Sequence, residues 1–236
     1  MTGHGLLFRK LYLLVPLWLF VSCSASDINT PEDKEATLRY LALGDSYTIG
    51  ESVSASASFP MKLTTKLNEQ LDKKTKVDIL ATTGWRTDNL LNAMEAQALS
   101  TDYDIVTLLI GVNNQFQNRP FSQYETEFNT LLEQAIELAK GENNSVFVIS
   151  IPDYAYTPFS ANSDREQISS DIDRYNDYAE ETAIASGIRF INITDITRMG
   201  LEEPELIASD GLHPSGEAYR RFVERLFPLV RSHLSE

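Results

Sequence analysis

Leu38-Arg39-Tyr40-Leu41-Ala42-Leu43-Gly44-Asp45-Ser46-Tyr47-Thr48-Ile49-Gly50 is the stretch on which the fold turns. Leu38–Leu43 is short, rich in leucine and not cleanly alternating, the pattern of a strand covered on both faces. Gly44 and Gly50 then bracket a segment in which a tight turn would present Ser46 beyond the strand end. Similar apolar runs follow at Val77–Ala81, Ile105–Ile110, Val146–Ile151 and Ile188–Ile193.

Helical patterns fill the gaps. Phe59–Leu71 has Pro60 in its first turn, a favoured place for proline. Thr87–Leu99 begins with a capping threonine and Asp88 close behind. Phe121–Lys140 spaces Phe128, Leu131, Leu132, Ala135, Ile136 and Ala139 along one helical face, and Gly141 stops it. Asp164–Ser186 and Ser215–Leu234 complete the set. Strands alternating with helices predict an α/β fold, a parallel sheet between two helix layers. Its reactive site should lie at the carboxyl ends of the strands.

The 236 residues suit one large domain, and 42% hydrophobic residues exclude a disordered chain. The formal charge is −14, which argues against nucleic-acid partners and is read as a solubility feature. The first 23 residues stand apart: Arg9-Lys10 precedes the apolar run Leu11–Val21, and Ser22-Cys23 follows. This is the pattern of an export signal, with a run short for a permanent membrane anchor. Phe20-Val21-Ser22-Cys23 resembles a bacterial lipobox, in which the cysteine is lipidated and becomes the new amino terminus. The expected organisation is therefore a signal peptide over 1–23, a polar tether over 24–36 and one catalytic domain over 37–236. The expected location is the bacterial cell envelope, membrane-anchored through Cys23 if processed and otherwise periplasmic or secreted. Cys23 is the single cysteine, so an intramolecular disulfide is excluded.

A serine hydroxyl needs a base before it attacks anything. Histidine is scarce: His4 belongs to the signal, His233 sits near the carboxyl terminus, and His213 remains, in Asp210-Gly211-Leu212-His213-Pro214. Asp210 is close enough to accept a hydrogen bond from the imidazole and stabilise it when charged. Thr83-Gly84-Trp85 follows the second strand and Gly111-Val112-Asn113-Asn114 the third. They offer a backbone N–H at Gly84 and a side-chain amide at Asn113 for an oxyanion. The bland alternatives are a turn serine, a loop histidine and ordinary strand-end glycines.

In order along the chain, Gly44-Asp45-Ser46, Gly84, Gly111-Val112-Asn113 and Asp210-x-x-His213 resemble the blocks of the SGNH hydrolases, the GDSL esterase/lipase family. The resemblance implies a flavodoxin-like three-layer sandwich with five parallel strands and neither metal nor cofactor. It implies Ser46 as nucleophile, His213 as base and then acid, and Asp210 as its orienter. The oxyanion hole would be the N–H groups of Ser46 and Gly84 with the Asn113 amide. Tyr47 stands where the family often has leucine, and Asn114 where aspartate is common.

Trp85, Phe116, Tyr154, Tyr156 and Phe159 lie on segments able to line a substrate pocket, with Trp85 and Tyr154 the candidate substrate contacts. The expected activity is hydrolysis of carboxylic esters through an acyl-enzyme, on a lysophospholipid, another acyl ester or a thioester. A carbohydrate O-acetyl esterase of the same fold is the alternative. Acyl transfer to another alcohol and a non-catalytic surface binding lipoprotein are the further readings.

Overall fold

The apolar runs are strands because helices cover them. In a computed structural model the described residues are 1–3, 37–71 and 73–235. Apart from its first three residues the expected export signal, with Cys23 and the tether 24–36, lies outside them. In chain order the elements are β1 (Thr37–Gly44), α1 (Ser46–Ile49), α2 (Phe59–Gln70), β2 (Lys74–Ala81), α3 (Thr87–Ala96), β3 (Ile105–Leu109) and α4 (Val112–Phe116). There follow α5 (Phe121–Leu138), β4 (Val146–Ile149), α6 (Arg165–Ala185), β5 (Arg189–Ile191), α7 (Thr194–Arg198) and α8 (Gly216–His233).

All pairings are parallel and the strand order is β2-β1-β3-β4-β5. α2 packs on α8, while α3, α5 and α6 pack in a row. Right-handed crossovers place these groups on opposite faces, giving three layers. Every residue of β3 and β4 is buried, with Leu41, Leu43, Phe128, Leu131 and Phe222 among the side chains that fill the layers. β2 is an edge strand, so Lys74, Lys76 and Asp78 can point to water along it.

The register sets the site. Gly44 pairs with Ala81 on one side and Leu109 on the other, so β2, β1 and β3 end at one level. The chain reverses its direction of travel across the sheet between β1 and β3, the crevice where such folds bind ligands. Gly44 is required there for steric reasons: a Cβ would lie 2.1 Å from Thr48 Oγ1 and 2.4 Å from the Leu109 carbonyl oxygen.

Three expectations are adjusted. β2 begins at Lys74, earlier than Val77, because an edge strand tolerates charge. β4 and β5 are shorter than their apolar runs, whose ends serve the loops of the carboxyl edge. Thr87 does not cap α3 with its own hydroxyl; its N–H is instead accepted by Asn114 Oδ1 at 3.0 Å, across from α4.

Candidate active site

Ser46 is the first residue of α1, a single turn that starts where β1 ends. Asp45 builds that turn: its Oδ1 accepts the Tyr47 N–H at 3.0 Å and its carbonyl accepts the Thr48 N–H at 3.0 Å. Gly50, at φ +79°, ends the helix after four residues. The Ser46 side chain faces a cleft of 400 Å³ lined also by Gly84, Asn113, Phe116, Tyr154, Phe159 and His213.

His213 comes from a tight reversal before α8. Its carbonyl accepts the Ala208 N–H at 2.7 Å, and Gly211 turns the chain at φ +74°. Its Nδ1 lies 2.6 Å from Asp210 Oδ2, which leaves Nε2 as the free nitrogen of a ring that lines the same cleft as Ser46. The Tyr47 ring lies against the imidazole, with centroids 5.1 Å apart, so the aromatic residue in the family's leucine position packs the candidate base. Burial pushes the Asp210 carboxyl up, but hydrogen bonds from Ser52, His213 and two backbone N–H groups outweigh it and hold the carboxyl well below the usual range.

The oxyanion donors converge from two further strand ends. Among the described residues, neither the Ser46 nor the Gly84 N–H has a protein acceptor. Gly84 takes φ +80°, and the Gln117 amide donates to its carbonyl at 3.1 Å. Asn113 Nδ2 donates to the Trp85 carbonyl at 3.0 Å and to Asp45 Oδ2 at 3.3 Å. The Trp85 carbonyl can only accept, so the amide orientation is determined. Burial pushes the Asp45 carboxyl up to about 7, against the hydrogen bonds from Tyr47 and Asn113.

Of the expected aromatic contacts, Tyr154, Phe116 and Phe159 line the cleft, in an edge-on and tilted cluster with centroids 5.6 and 6.0 Å apart. Trp85 does not; its ring packs against the core and its backbone carbonyl orients Asn113. Tyr156 lies elsewhere, beneath the Arg165 guanidinium in an open groove of 840 Å³ along α6. That larger groove has mostly charged walls and none of the strand-end groups. Asn114, in the family's aspartate position, is a structural clamp whose Nδ2 donates to Thr87 Oγ1 at 2.6 Å. Sequence reasoning missed Ser52, whose hydroxyl donates to Asp210 at 2.6 Å; its partner is 158 residues away and no local pattern marks it. Among the described residues no group of three or more His, Cys, Asp or Glu is arranged to hold a metal ion.

Fold and site together define an ester hydrolase of the SGNH type. The chain belongs to the GDSL-like lipase/acylhydrolase family, whose model matches residues 42–221. It is 23% identical to a spore germination lipase, LipC, of Bacillus licheniformis, over 80% of this chain and 95% of the relative. Its fold matches the lipase/acylhydrolase of Enterococcus faecalis with a TM-score of 0.66 at 20% identity, over 83% of this chain and 96% of the other. It also matches Axe2, an acetylxylan esterase of Geobacillus stearothermophilus, with a TM-score of 0.64 at 17% identity, over 84% and 96% of the two chains.

Proposed function

We propose that the protein hydrolyses carboxylic esters of acyl chains longer than acetyl, through an acyl-enzyme on Ser46. The observation that carries this reading is the hydrogen bond between His213 Nδ1 and Asp210, in a ring sharing an aromatic-lined cleft with Ser46. His213 Nε2 takes the Ser46 proton as Oγ attacks the acyl carbonyl. The oxyanion is met by the N–H groups of Ser46 and Gly84 and by the Asn113 amide. His213 then gives its proton to the leaving alkoxide. Water, deprotonated by the same nitrogen, attacks the acyl-enzyme, and Ser46 recovers its proton as the acid departs. Asp210 stays ionised throughout, consistent with its depressed pKa.

The aromatic cluster favours an acyl chain over an acetylated sugar. Phe116 and Phe159 are 48% and 52% exposed at the cleft, apolar surface that an acyl chain would cover. Lysophospholipids, simple acyl esters and acyl thioesters meet that description. The test is a series of p-nitrophenyl esters from acetyl to dodecanoyl, run beside acetylated xylo-oligosaccharides. Specificity should rise beyond acetyl, since each buried methylene contributes about 0.8 kcal/mol. Phe159→Ala should remove about tenfold of the octanoyl rate and leave acetyl unchanged. A maximum at acetyl with cleavage of the sugar esters would favour carbohydrate deacetylation. Cys23, with its lipobox-like context, supports export and a lipid anchor in the cell envelope. Incorporation of labelled palmitate by wild type and not by Cys23→Ser tests that part.

A further inference from the structure

The Asp210 side chain is 30% exposed, yet its two carboxylate oxygens accept four hydrogen bonds. Oδ1 accepts the Leu212 and His213 N–H groups, each at 3.0 Å, and Oδ2 accepts from His213 Nδ1 at 2.6 Å. Those three donors belong to its own turn. The fourth, Ser52 Oγ at 2.6 Å on Oδ2, arrives from the segment that follows the candidate nucleophile.

Ser52 is held there at a cost. Its φ is +64°, in the left-handed region that residues with a Cβ seldom occupy. The segment leaves the end of α1, where the N–H groups of Gly50 and Glu51 both donate to the Ser46 carbonyl, at 3.1 and 3.0 Å. The Val53 N–H donates to the Gly50 carbonyl at 3.3 Å, closing a turn with Ser52 at its third position. The neighbouring Glu51 carboxylate accepts a hydrogen bond from the Thr83 hydroxyl, beside Gly84. One short segment is thus tied to the nucleophile's backbone, to the oxyanion-hole strand end and to the acid.

We infer that Ser52 is a positioning residue of the ester-hydrolysing site, its hydroxyl fixing Asp210 and so registering the His213 turn against the Ser46 turn. The inference rests on the assignment of Ser46, His213 and Asp210 proposed above. The three bonds from its own turn fix Asp210 relative to His213, and the Ser52 bond is the one that reaches across to the Ser46 turn.

The test separates hydroxyl from backbone. Ser52→Gly removes the donor while suiting the left-handed conformation, so a purely conformational role leaves it neutral or more stable. The expected result is an unchanged or raised Tm, with kcat down about tenfold and KM within about twofold. Ser52→Thr keeps the hydroxyl on a strained backbone and should lower Tm while retaining most of kcat. Wild-type kcat in a folded Ser52→Gly protein would overturn the inference alone. A folded wild type inactive on every ester would overturn the site assignment with it.

Discussion

Asn113 meets two acceptors with one amide nitrogen. Its bond to the Trp85 carbonyl is the shorter and its bond to Asp45 the longer, 3.0 against 3.3 Å, so the proton facing Asp45 is the one more easily turned to an arriving oxyanion. Asn113→Ala should therefore lower kcat by about a hundred- to a thousandfold with little change in KM, measured on any ester the protein cleaves. Asp45 adds a pH dependence. Its folded-state pKa is raised from 3.8 to about 7, so the folded protein binds the extra proton. The stability this contributes is complete at acid pH and is lost as pH rises through about 7. Asp45→Asn keeps an acceptor for the Tyr47 N–H and removes the titration. Between pH 5 and 8 its Tm should fall less than that of wild type; parallel curves would contradict this. The His213–Asp210 bond and the cleft shared by Ser46 and His213 were anticipated because each residue type is chemically distinctive and histidine is rare. Trp85 misled because a loop aromatic carries no mark of which way its ring faces.

At the scale of elements, the turn from β1 into α1 carries the strictest demand. A side chain at Gly44 would meet both the Thr48 hydroxyl and the backbone carbonyl of Leu109, and the second cannot swing away. Gly44→Ala should cost about 1–3 kcal/mol, seen as a lower Tm and a lower denaturation midpoint. Thr48→Ala removes the hydroxyl but leaves the residue's Cβ at 2.9 Å and the Leu109 carbonyl in place, and should restore only part of the loss. A Gly44→Ala protein as stable as wild type would mean that β1 and β3 are less closely fitted than described. The long helices were readable from periodicity over three or more turns. α4 and α7, with five residues each, offer too few positions for a period to appear. The start of β2 was hidden because its edge position lets Lys74 and Lys76 interrupt the apolar run.

For the molecule as a whole, the site exists only when the sheet is complete. Ser46, Gly84, Asn113 and His213 follow or precede different elements, and the common level of β2, β1 and β3 brings the first three to one cleft. The alternation of apolar runs and helical stretches was sufficient to read this architecture. The strand-end blocks were sufficient to point to the family. The lining of the cleft was not readable, because its aromatic cluster joins Phe116 of α4 to Tyr154 and Phe159 of the segment between β4 and α6. The proposed reaction requires this assembly to make Ser46 a nucleophile. A fluorophosphonate probe followed by peptide mass spectrometry reads that out. The native chain should be labelled at Ser46, with labelling abolished by Ser46→Ala, strongly slowed by His213→Ala and absent after unfolding in urea. Native, folded protein that stays unlabelled, or that is labelled at another residue, would rule out Ser46 as the nucleophile.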